Sequence, residues 1–486
     1  MSNVQRQIKL GFVLMPTALA TQIAGSLLAA RFLGPELFSV FSVLFGVMAV
    51  LNLITEMGTG TILMKLVAKG EKPPGHYIAV SLPFLGIVCL LGAAVQFGVI
   101  WLVYPEPEIR IAGFICSLNT IIFGSMMAVS CTMRGMGDIG RWLLGFLGHK
   151  IAFVVLLVLG YVALGPSLAA AVAAWTIAGA LNFVYSVACV WGRTWSGQLR
   201  FDWNETRGLI RESIPIGLNS AANQFGQHLD TFIVAAMTTR PEASVYLLAQ
   251  KLLNPARNIL HGAVSTPTFP ALVRLADSDR LEFDRQSAQL CLLQWVSGLP
   301  LAVLAWIAAP LVIPALLPKY EPSIPIFWIT VWALAPASLS LQLRYSYTAL
   351  NRQGQYLALN GVYLVTKGGL LVLGTWLYGT TGAAYATVAS ELLFAVLTLL
   401  PISPQRVAYQ LAWRTAAATT ATAGVVAVLA WLGPRDWRAL VLAGGFLLVS
   451  AALLNRMLKR IRSHLPRRTS NDGGGEAPLE PAAMPS

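Results

Sequence analysis

The stretch ARFLGPELFSVFSVLFGVMAVLNLITEMGTGTILMK, residues 30–65, decides the fold. Near its start, Gly34 and Pro35 form a short polar turn between two long apolar runs. The run from Leu37 to Ile54 carries no charge and has about eighteen residues, roughly the length that crosses the hydrocarbon core of a bilayer as a helix. Glu56 follows at its edge, where a carboxylate is costly unless it faces water or a partner. The stretch therefore predicts a helix–turn–helix in a membrane.

The composition of the whole chain extends this prediction. Of its 486 residues, 56% are hydrophobic and only 11% are charged, and the mean hydropathy is +0.66. Soluble domains carry about 25% charged residues, so the composition predicts a polytopic membrane protein. The five cysteines lie in apolar runs without metal-ligand spacing, which favours small core residues. The net charge of +13 fits basic cytoplasmic loops, and no basic soluble segment is available to bind nucleic acid.

Apolar runs recur along the chain and predict about fourteen transmembrane helices. They lie at residues 9–32, 37–66, 77–104, 110–133, 142–165, 167–192, 210–238, 243–273, 288–317, 324–350, 356–378, 381–402, 409–432 and 438–458. Basic residues concentrate in alternate connections, for example Lys65, Lys69 and Lys72 after the second run and Arg134 and Arg141 after the fourth. The positive-inside rule then places both termini in the cytoplasm.

The chain also divides into larger units. The predicted units are an N-terminal group of six spans (1–193), a cytoplasmic linker (194–209), a second group of six spans (210–403), two further spans (404–460) and a disordered tail (461–486). A short echo supports two repeated lobes, because Pro35-Glu36 followed by Ser39-Val40-Phe41 resembles Pro241-Glu242 followed by Ser244-Val245-Tyr246. Repeated lobes are typical of transporters.

Several segments resemble a known family. ARFLGPELFSVFS followed by LITEMGTG is similar to the first two helices of the polysaccharide and lipid-linked oligosaccharide flippases of the MOP (multidrug/oligosaccharidyl-lipid/polysaccharide) exporter superfamily. IRESIPIGLNSAANQFGQHLDTFIVAAM and VYLLAQKLLNPARNILHGAVSTPTFPAL resemble its seventh and eighth helices, and the likeness runs over roughly residues 8–400. Ser39 stands where glycine is common in the family, and Glu56 where aspartate is usual. The resemblance implies an all-α, MATE/MOP-like fold: two six-helix lobes around a central cavity, with two C-terminal helices appended, working by alternating access.

Charges inside the predicted spans are the candidate functional residues, because each costs about 2.5–3.5 kcal/mol to insert even on the lower of the competing scales. They are Glu56, Lys150, Asp230, Lys251, Arg257, Arg344, Lys367 and Glu391. Pairing between helices is the alternative for the acids, and reaching out to the interface is the alternative for Lys150. His149, His228 and His261 lie on separate spans and are predicted to line a cavity or the core.

Most of these charges are basic, which suits an anionic cargo, and arginine binds phosphate through a bidentate fork. We therefore predict substrate binding by Arg257, Lys251, Arg344, Lys367, Lys150 and Arg31. Asp230, Glu56 and Glu391 are predicted to couple transport to an ion, either H⁺ or Na⁺. No cofactor or metal is predicted. With the family resemblance, the cargo is predicted to be a polyprenyl-diphosphate-linked glycan.

The predicted function is that of a flippase, not an enzyme, in the bacterial inner membrane. It would serve O-antigen, capsule or exopolysaccharide synthesis beside a polymerase and chain-length machinery. One alternative is an ion-coupled drug or organic-cation antiporter of the same superfamily, whose cavity would be lined by acidic residues. Another is a membrane-embedded glycosyltransferase or polymerase, which would need a large extracytoplasmic loop with paired carboxylates, and the sequence has no such loop. A Walker A motif is also absent, which argues against an ATPase.

Overall fold

A computed structural model describes residues 2–194, 202–401, 405–432 and 437–464, and this part of the chain is helical apart from turns. Two short 3-10 helices, Pro318–Tyr320 and Val331–Ala333, flank the eight-residue α-helix Ser323–Thr330. The α-helices are α1 (Ser2–Glu56), α2 (Thr59–Lys69), α3 (Pro74–Val103), α4 (Pro107–Gly135), α5 (Ile139–Leu164), α6 (Leu168–Thr194), α7 (Trp203–Met237), α8 (Arg240–Ser278), α9 (Arg280–Leu316), α10 (Ser323–Thr330), α11 (Leu334–Ala349), α12 (Gln353–Leu399), α13 (Gln405–Leu432) and α14 (Trp437–His464).

Within the described ranges, nine helices are long and apolar enough to cross a membrane. Two of them, α1 and α12, are long enough to cross twice. Helices α7 and α8, with 35 and 39 residues, are not among these nine, and they carry more polar residues. The protein is therefore a multi-pass, all-helical membrane protein, as its composition predicts. The predicted linker is outside the described residues at 195–201, and the predicted tail is outside them from residue 465 onward.

The turn predicted at Gly34 and Pro35 is a sharp kink inside α1. Gly34 has φ 70° and ψ 175°, a conformation that side chains disfavour, and Pro35 begins the second arm without a backbone N–H. Tyr320 packs edge-on against Phe38 and donates a hydrogen bond of 3.2 Å to the carbonyl of Ala30, which fixes the kink from outside. The second predicted span, 37–66, is not one helix, because Met57 and Gly58 adopt positive φ angles of 45° and 74° and separate α1 from α2.

A second kink divides α12 at Tyr378 and Gly379. The two arms then fold against each other so closely that a Cβ atom on Gly382 would lie 1.9 Å from the carbonyl oxygen of Gly374. Backbone atoms cannot move aside as a flexible side chain can. Glycine at residue 382 is therefore required by the packing of the two arms.

We expect Gly382→Ala to lower the free energy of unfolding by about 1–3 kcal/mol, since the added methyl group overpacks the contact between the two arms. Thermal melting of the detergent-purified protein, followed by tryptophan fluorescence, measures this. Gly369→Ala on the same helix is the control, because its Cβ would meet nothing within 4 Å. Equal melting temperatures for the two variants would contradict the close packing of the arms.

Helix α7 joins the two halves of the bundle. Its first turns pack against α3, where Thr206 Oγ1 donates a hydrogen bond of 3.0 Å to the carbonyl of Val80. Further along, the carbonyl of Gly226 accepts a hydrogen bond of 2.9 Å from Lys367 Nζ on α12. The predicted boundary between residues 209 and 210 thus falls within one continuous helix, and the division into lobes stays a prediction. Helices α13 and α14 pack on α9. Trp295 Nε1 on α9 donates a hydrogen bond of 3.0 Å to Thr419 Oγ1 on α13.

Ion pairs connect the two halves at both ends of the bundle. We define the basic end as the one with the turns at 70–73, 136–138 and 350–352. Here Glu205 contacts both Lys72 and His76. At the opposite end, Arg240 pairs with Glu106, and this hydrogen bond holds the pKa of Glu106 below its usual value. The pair therefore stabilises the fold at pH values above the ordinary pKa of glutamate. This stabilisation is lost as the pH falls through the lowered pKa of Glu106.

Candidate functional site

Three adjoining cavities run through the bundle. The amino-side cavity, about 370 Å³, is lined by residues of α1, α4, α5, α6 and α7 and includes Asn52, Asn119, Arg134, His149 and Lys150. The central cavity, about 280 Å³, lies where α1 meets α7 and α8 and includes Ser26, Phe45, Lys150, His228 and Lys251. The carboxy-side cavity, about 150 Å³, includes Arg257, Arg344, Asn360, Tyr363 and Glu391.

The cavities share walls and so form one polar tract. Lys150 and Trp175 line both the amino-side and the central cavity. Gln227 and Asn254 line both the central and the carboxy-side cavity. The tract passes from residues of the first half of the chain to residues of the second, which is the arrangement that the predicted central cavity requires.

Two lysines of the central cavity have no acidic partner among the described residues. Lys150 is only 6% exposed, and its Nζ lies 4.4 Å from the centre of the Trp175 ring. Lys251 Nζ lies 5.6 Å from the centre of the Phe45 ring. Among the residues that the structure describes, neither ammonium group forms a salt bridge. Aromatic faces, which attract cations more weakly than a carboxylate does, are their neighbours.

The carboxy-side cavity holds its charges as a network. Arg257 Nη2 lies 2.7 Å from Glu391 Oε1, and Lys367 Nζ lies 3.9 Å from the same oxygen. Tyr363 donates a 3.0 Å hydrogen bond to that oxygen as well. Two cations share one carboxylate, so the cluster has a formal charge of +1. Arg344 lines the same cavity and adds a further positive charge.

Asp230 and Glu56 lie beside the tract and do not line it. The buried Asp230 accepts a hydrogen bond of 3.1 Å from the hydroxyl of Tyr246. The same hydroxyl is hydrogen-bonded to Thr387 and Gln250. Glu56 is 6% exposed and packs so close to Gly60 that a Cβ there would lie 2.5 Å from Glu56 Oε1. Of these three acids, Glu391 lines one of the three cavities; Asp230 lines none of them but lies in the field of Arg257, and Glu56 lies in the field of Arg134.

The predicted site residues therefore have different fates in the fold. Five of the six predicted substrate-binding residues line the tract or its charge network: Lys150, Lys251, Arg257, Arg344 and Lys367. Arg31 does not, because it is exposed on the first arm of α1 and lies outside all three cavities. Lys150 is buried and does not reach the interface. His149 and His228 line cavities, whereas the side chain of His261 lies outside the described part of the structure.

Sequence reasoning missed Arg134, which was assigned only to a basic connection. Its guanidinium lies 5.0 Å from the centre of the Trp142 ring, and its side chain lines the amino-side cavity. It also missed the amides of the tract, such as Asn52, Asn119 and Asn254. Their signal was present in the sequence, since an amide within an apolar span is also costly unless it finds a polar partner.

Residues 11–276 match a family of proteins described as polysaccharide biosynthesis proteins, which is more than half of the chain. The chain belongs to this polysaccharide biosynthesis protein family. The family resemblance predicted from the sequence is thereby confirmed. None of the curated proteins matches the sequence.

Solved structures similar to this family member share its fold at low sequence identity. The lipid II flippase MurJ in an inward closed conformation has a TM-score of 0.70 and 10% identity, covering 92% of this chain and 99% of the other. An inward-facing multidrug resistance MATE family transporter of the MOP superfamily has a TM-score of 0.61 and 13% identity, with 83% and 96% covered. A MOP superfamily transporter from Pyrococcus furiosus has a TM-score of 0.58 and 14% identity, with 85% and 96% covered. The predicted MATE/MOP-like fold is confirmed.

Proposed function

We propose that this polysaccharide biosynthesis protein is a flippase that moves a polyprenyl-diphosphate-linked oligosaccharide across the bacterial inner membrane by alternating access. The observation that carries the proposal is the pair Lys150 and Lys251, which line the central cavity without a salt bridge among the described residues. A buried charge without a partner is destabilising. A diphosphate in the cavity would supply the missing partner for both ammonium groups.

The family and the fold support a transporter over an enzyme. The fold is shared with a protein described as a lipid II flippase, and the family is described by polysaccharide biosynthesis. In the proposed arrangement, the lobes at 1–193 and 210–403 move against each other, both termini lie in the cytoplasm, and the basic end faces the cytoplasm. The glycan would serve O-antigen, capsule or exopolysaccharide synthesis and pass to a polymerase with its chain-length machinery.

The sign of the tract weighs against an organic-cation antiporter. The carboxylate that lines the cavities, Glu391, is already paired with Arg257 and Lys367. An organic cation in the central cavity would meet two lysines instead of an acid. For the Pyrococcus furiosus transporter, a reverse polarity of the binding pocket is held to suggest a different function. In this chain, the two lysines of the central cavity favour an anionic cargo.

Reconstitution in proteoliposomes tests the proposal. Undecaprenyl diphosphate carrying one fluorescent sugar is placed in both leaflets, and an impermeant reductant bleaches the outer one. Wild-type protein should make the protected pool accessible faster than empty liposomes do. Efflux of ethidium, a fluorescent organic cation, is measured in parallel. Ethidium efflux without movement of the lipid probe would replace the flippase with the antiporter.

We propose Asp230 as the coupling acid in place of Glu391, because Glu391 is engaged by two cations whereas Asp230 is bonded by neutral groups. Glu56 is the second candidate. An imposed proton or sodium gradient should accelerate flipping by the wild type, and Asp230→Asn should lose that acceleration. Glu212→Gln, an exposed change on the same helix, should keep it. Gradient-driven acceleration that persists in Asp230→Asn would exclude this role for Asp230.

A further inference from the structure

A groove of about 360 Å³ opens on the outer face of the bundle between α5 and α6. Its rim carries Leu144 and Leu181, whose exposed fractions are 49% and 54%. Its inner end is formed by His149 and Asn182. An apolar rim on a membrane-facing surface suits a hydrocarbon chain, whereas the inner end is polar.

The groove exists because the two helices separate over a single turn. At Gly145 they touch, since an added Cβ would lie 2.6 Å from Asn182 Oδ1. Three residues further along α5, an added Cβ on Gly148 would meet nothing within 4 Å. Gly148 therefore borders open space, and a side chain placed there would enter the groove without displacing a neighbour.

The inner end of the groove presents two unsatisfied polar atoms. His149 Nε2 and Asn182 Oδ1 are buried, and within the described part of the chain neither has a hydrogen-bond partner. Buried polar atoms without partners are rare in folded proteins, and a ligand is one explanation for them. Both residues also line the amino-side cavity, so the groove and that cavity share a wall.

Beyond this wall lie two cations, Arg134 and Lys150. In the described residues, neither forms a salt bridge; Arg134 Nη2 donates a hydrogen bond of 2.8 Å to Cys131 Sγ and lies in the field of Glu56, whereas its buried Nε has no hydrogen-bond partner. From the outside inward, the lining thus changes from an apolar rim to the polar His149 and Asn182, and then to the cations Arg134 and Lys150. That order matches an amphiphile whose chain ends in an anionic head group.

We propose that the α5–α6 groove holds the first isoprene units of the anionic lipid substrate, while its diphosphate passes His149 and Asn182 to reach Arg134 and Lys150. The inference rests on the proposed function and assigns the lipid chain of its cargo to this groove. A phospholipid acyl chain is the competing occupant. It would bring a methyl end against the unsatisfied polar atoms, which leaves their cost in place, whereas a phosphate oxygen of the substrate would accept a hydrogen bond from His149 Nε2.

The position of the groove fits substrate uptake from one leaflet. Gly148 lies nine residues after the start of α5 at Ile139, which is about 14 Å along the helix axis. Tyr185, on the groove wall, bonds the carbonyl of Arg141 near the same helix end. The groove therefore opens in the half of the membrane toward the basic end, which is the cytoplasmic leaflet in the proposed topology.

Filling the groove is the first test. Gly148→Phe should slow flipping of the fluorescent undecaprenyl diphosphate probe about tenfold. The reason is that the added ring displaces about two carbon groups of the lipid chain from the groove, which then lose their burial. Gly98→Phe on α3 is the matched control, because its Cβ also meets nothing within 4 Å and it lines none of the cavities. Melting temperatures confirm that both variants fold. Equal flipping by the two variants would overturn the groove as the chain site.

Photolabelling of the unaltered wild type gives a second readout that needs no transport. Undecaprenyl diphosphate with a diazirine on its first isoprene units should label peptides containing Leu144 to Lys150 or Ala178 to Tyr185. A phospholipid with a diazirine near its acyl terminus should label them at least about tenfold less, as expected if the diphosphate contributes one charge-assisted contact. Equal labelling by both lipids, or no labelling there, overturns the inference. A wild type that is labelled at the groove but does not flip the probe would overturn only the proposed function.

Discussion

Replacing Lys150 and Lys251 together by glutamine is expected to slow flipping of a diphosphate-linked lipid by about a hundredfold or more. The reason is that each ammonium contributes a charge-assisted contact to the diphosphate, and such contacts are worth about 1.5–3 kcal/mol apiece. Both lysines line the central cavity, where no salt bridge among the described residues holds either of them. Reconstituted initial rates measure the loss.

The same double variant should be at least as stable as the wild type. Removing a buried charge that has no carboxylate partner relieves a cost instead of breaking a bond. Loss of transport with an unchanged or raised melting temperature would therefore separate a substrate-binding role from a structural one. Lys319→Gln, a change of an exposed lysine, is the control for charge removal as such. Normal flipping by the double variant, or a large fall in its melting temperature, would contradict the assignment.

The second large effect concerns Arg257 and Glu391. Either Arg257→Met or Glu391→Met alone is expected to lower the free energy of unfolding by about 3–5 kcal/mol, because each leaves a buried charge without its main partner. The double variant should recover part of that loss, since it removes both charges of the pair that are 2.7 Å apart but leaves the buried Lys367 without the carboxylate it shares. Thermal melting of all four proteins gives the coupling energy as a double-mutant cycle.

Transport by the double variant then decides what Arg257 does. Because Arg257→Ala breaks an ion pair, its loss of transport alone would not distinguish folding from binding. A stable double variant that fails to flip the lipid places Arg257 in contact with the substrate. A stable double variant that flips normally assigns Arg257 to the interior of the bundle. Additive destabilisation of the two single changes would contradict the pairing itself.

Local features of the sequence predicted much of the fold. Gly34-Pro35 marked the kink of α1, and the spacing of apolar runs marked the helices, because both depend on a few neighbouring residues. The break at Met57 and Gly58 was missed, since LITEMGTG reads as an apolar continuation and only the φ angles of 45° and 74° show the turn.

The candidate site was less accessible to sequence reasoning. Arg257 has no acid near it in the sequence, and its partner Glu391 lies 134 positions away on α12. Which helix faces which cannot be obtained from the periodicity of one helix. Arg134 was overlooked for a related reason: a basic residue at a helix end satisfies the positive-inside rule whether or not it reaches a cavity. The rank of Arg31 as a binding residue reflected its charge alone, and the fold leaves it exposed.

The most direct test of the central claim is the affinity of the purified wild-type protein for two lipids that differ only in the presence of the diphosphate group. Undecaprenyl diphosphate and uncharged undecaprenol are titrated by native mass spectrometry or fluorescence competition. The unpaired lysines predict that the diphosphate binds at least about a hundredfold more tightly, equivalent to two charge-assisted contacts. They also predict that the Lys150→Gln, Lys251→Gln double variant loses this preference. Equal affinities of the wild type for the two lipids would contradict an anionic cargo.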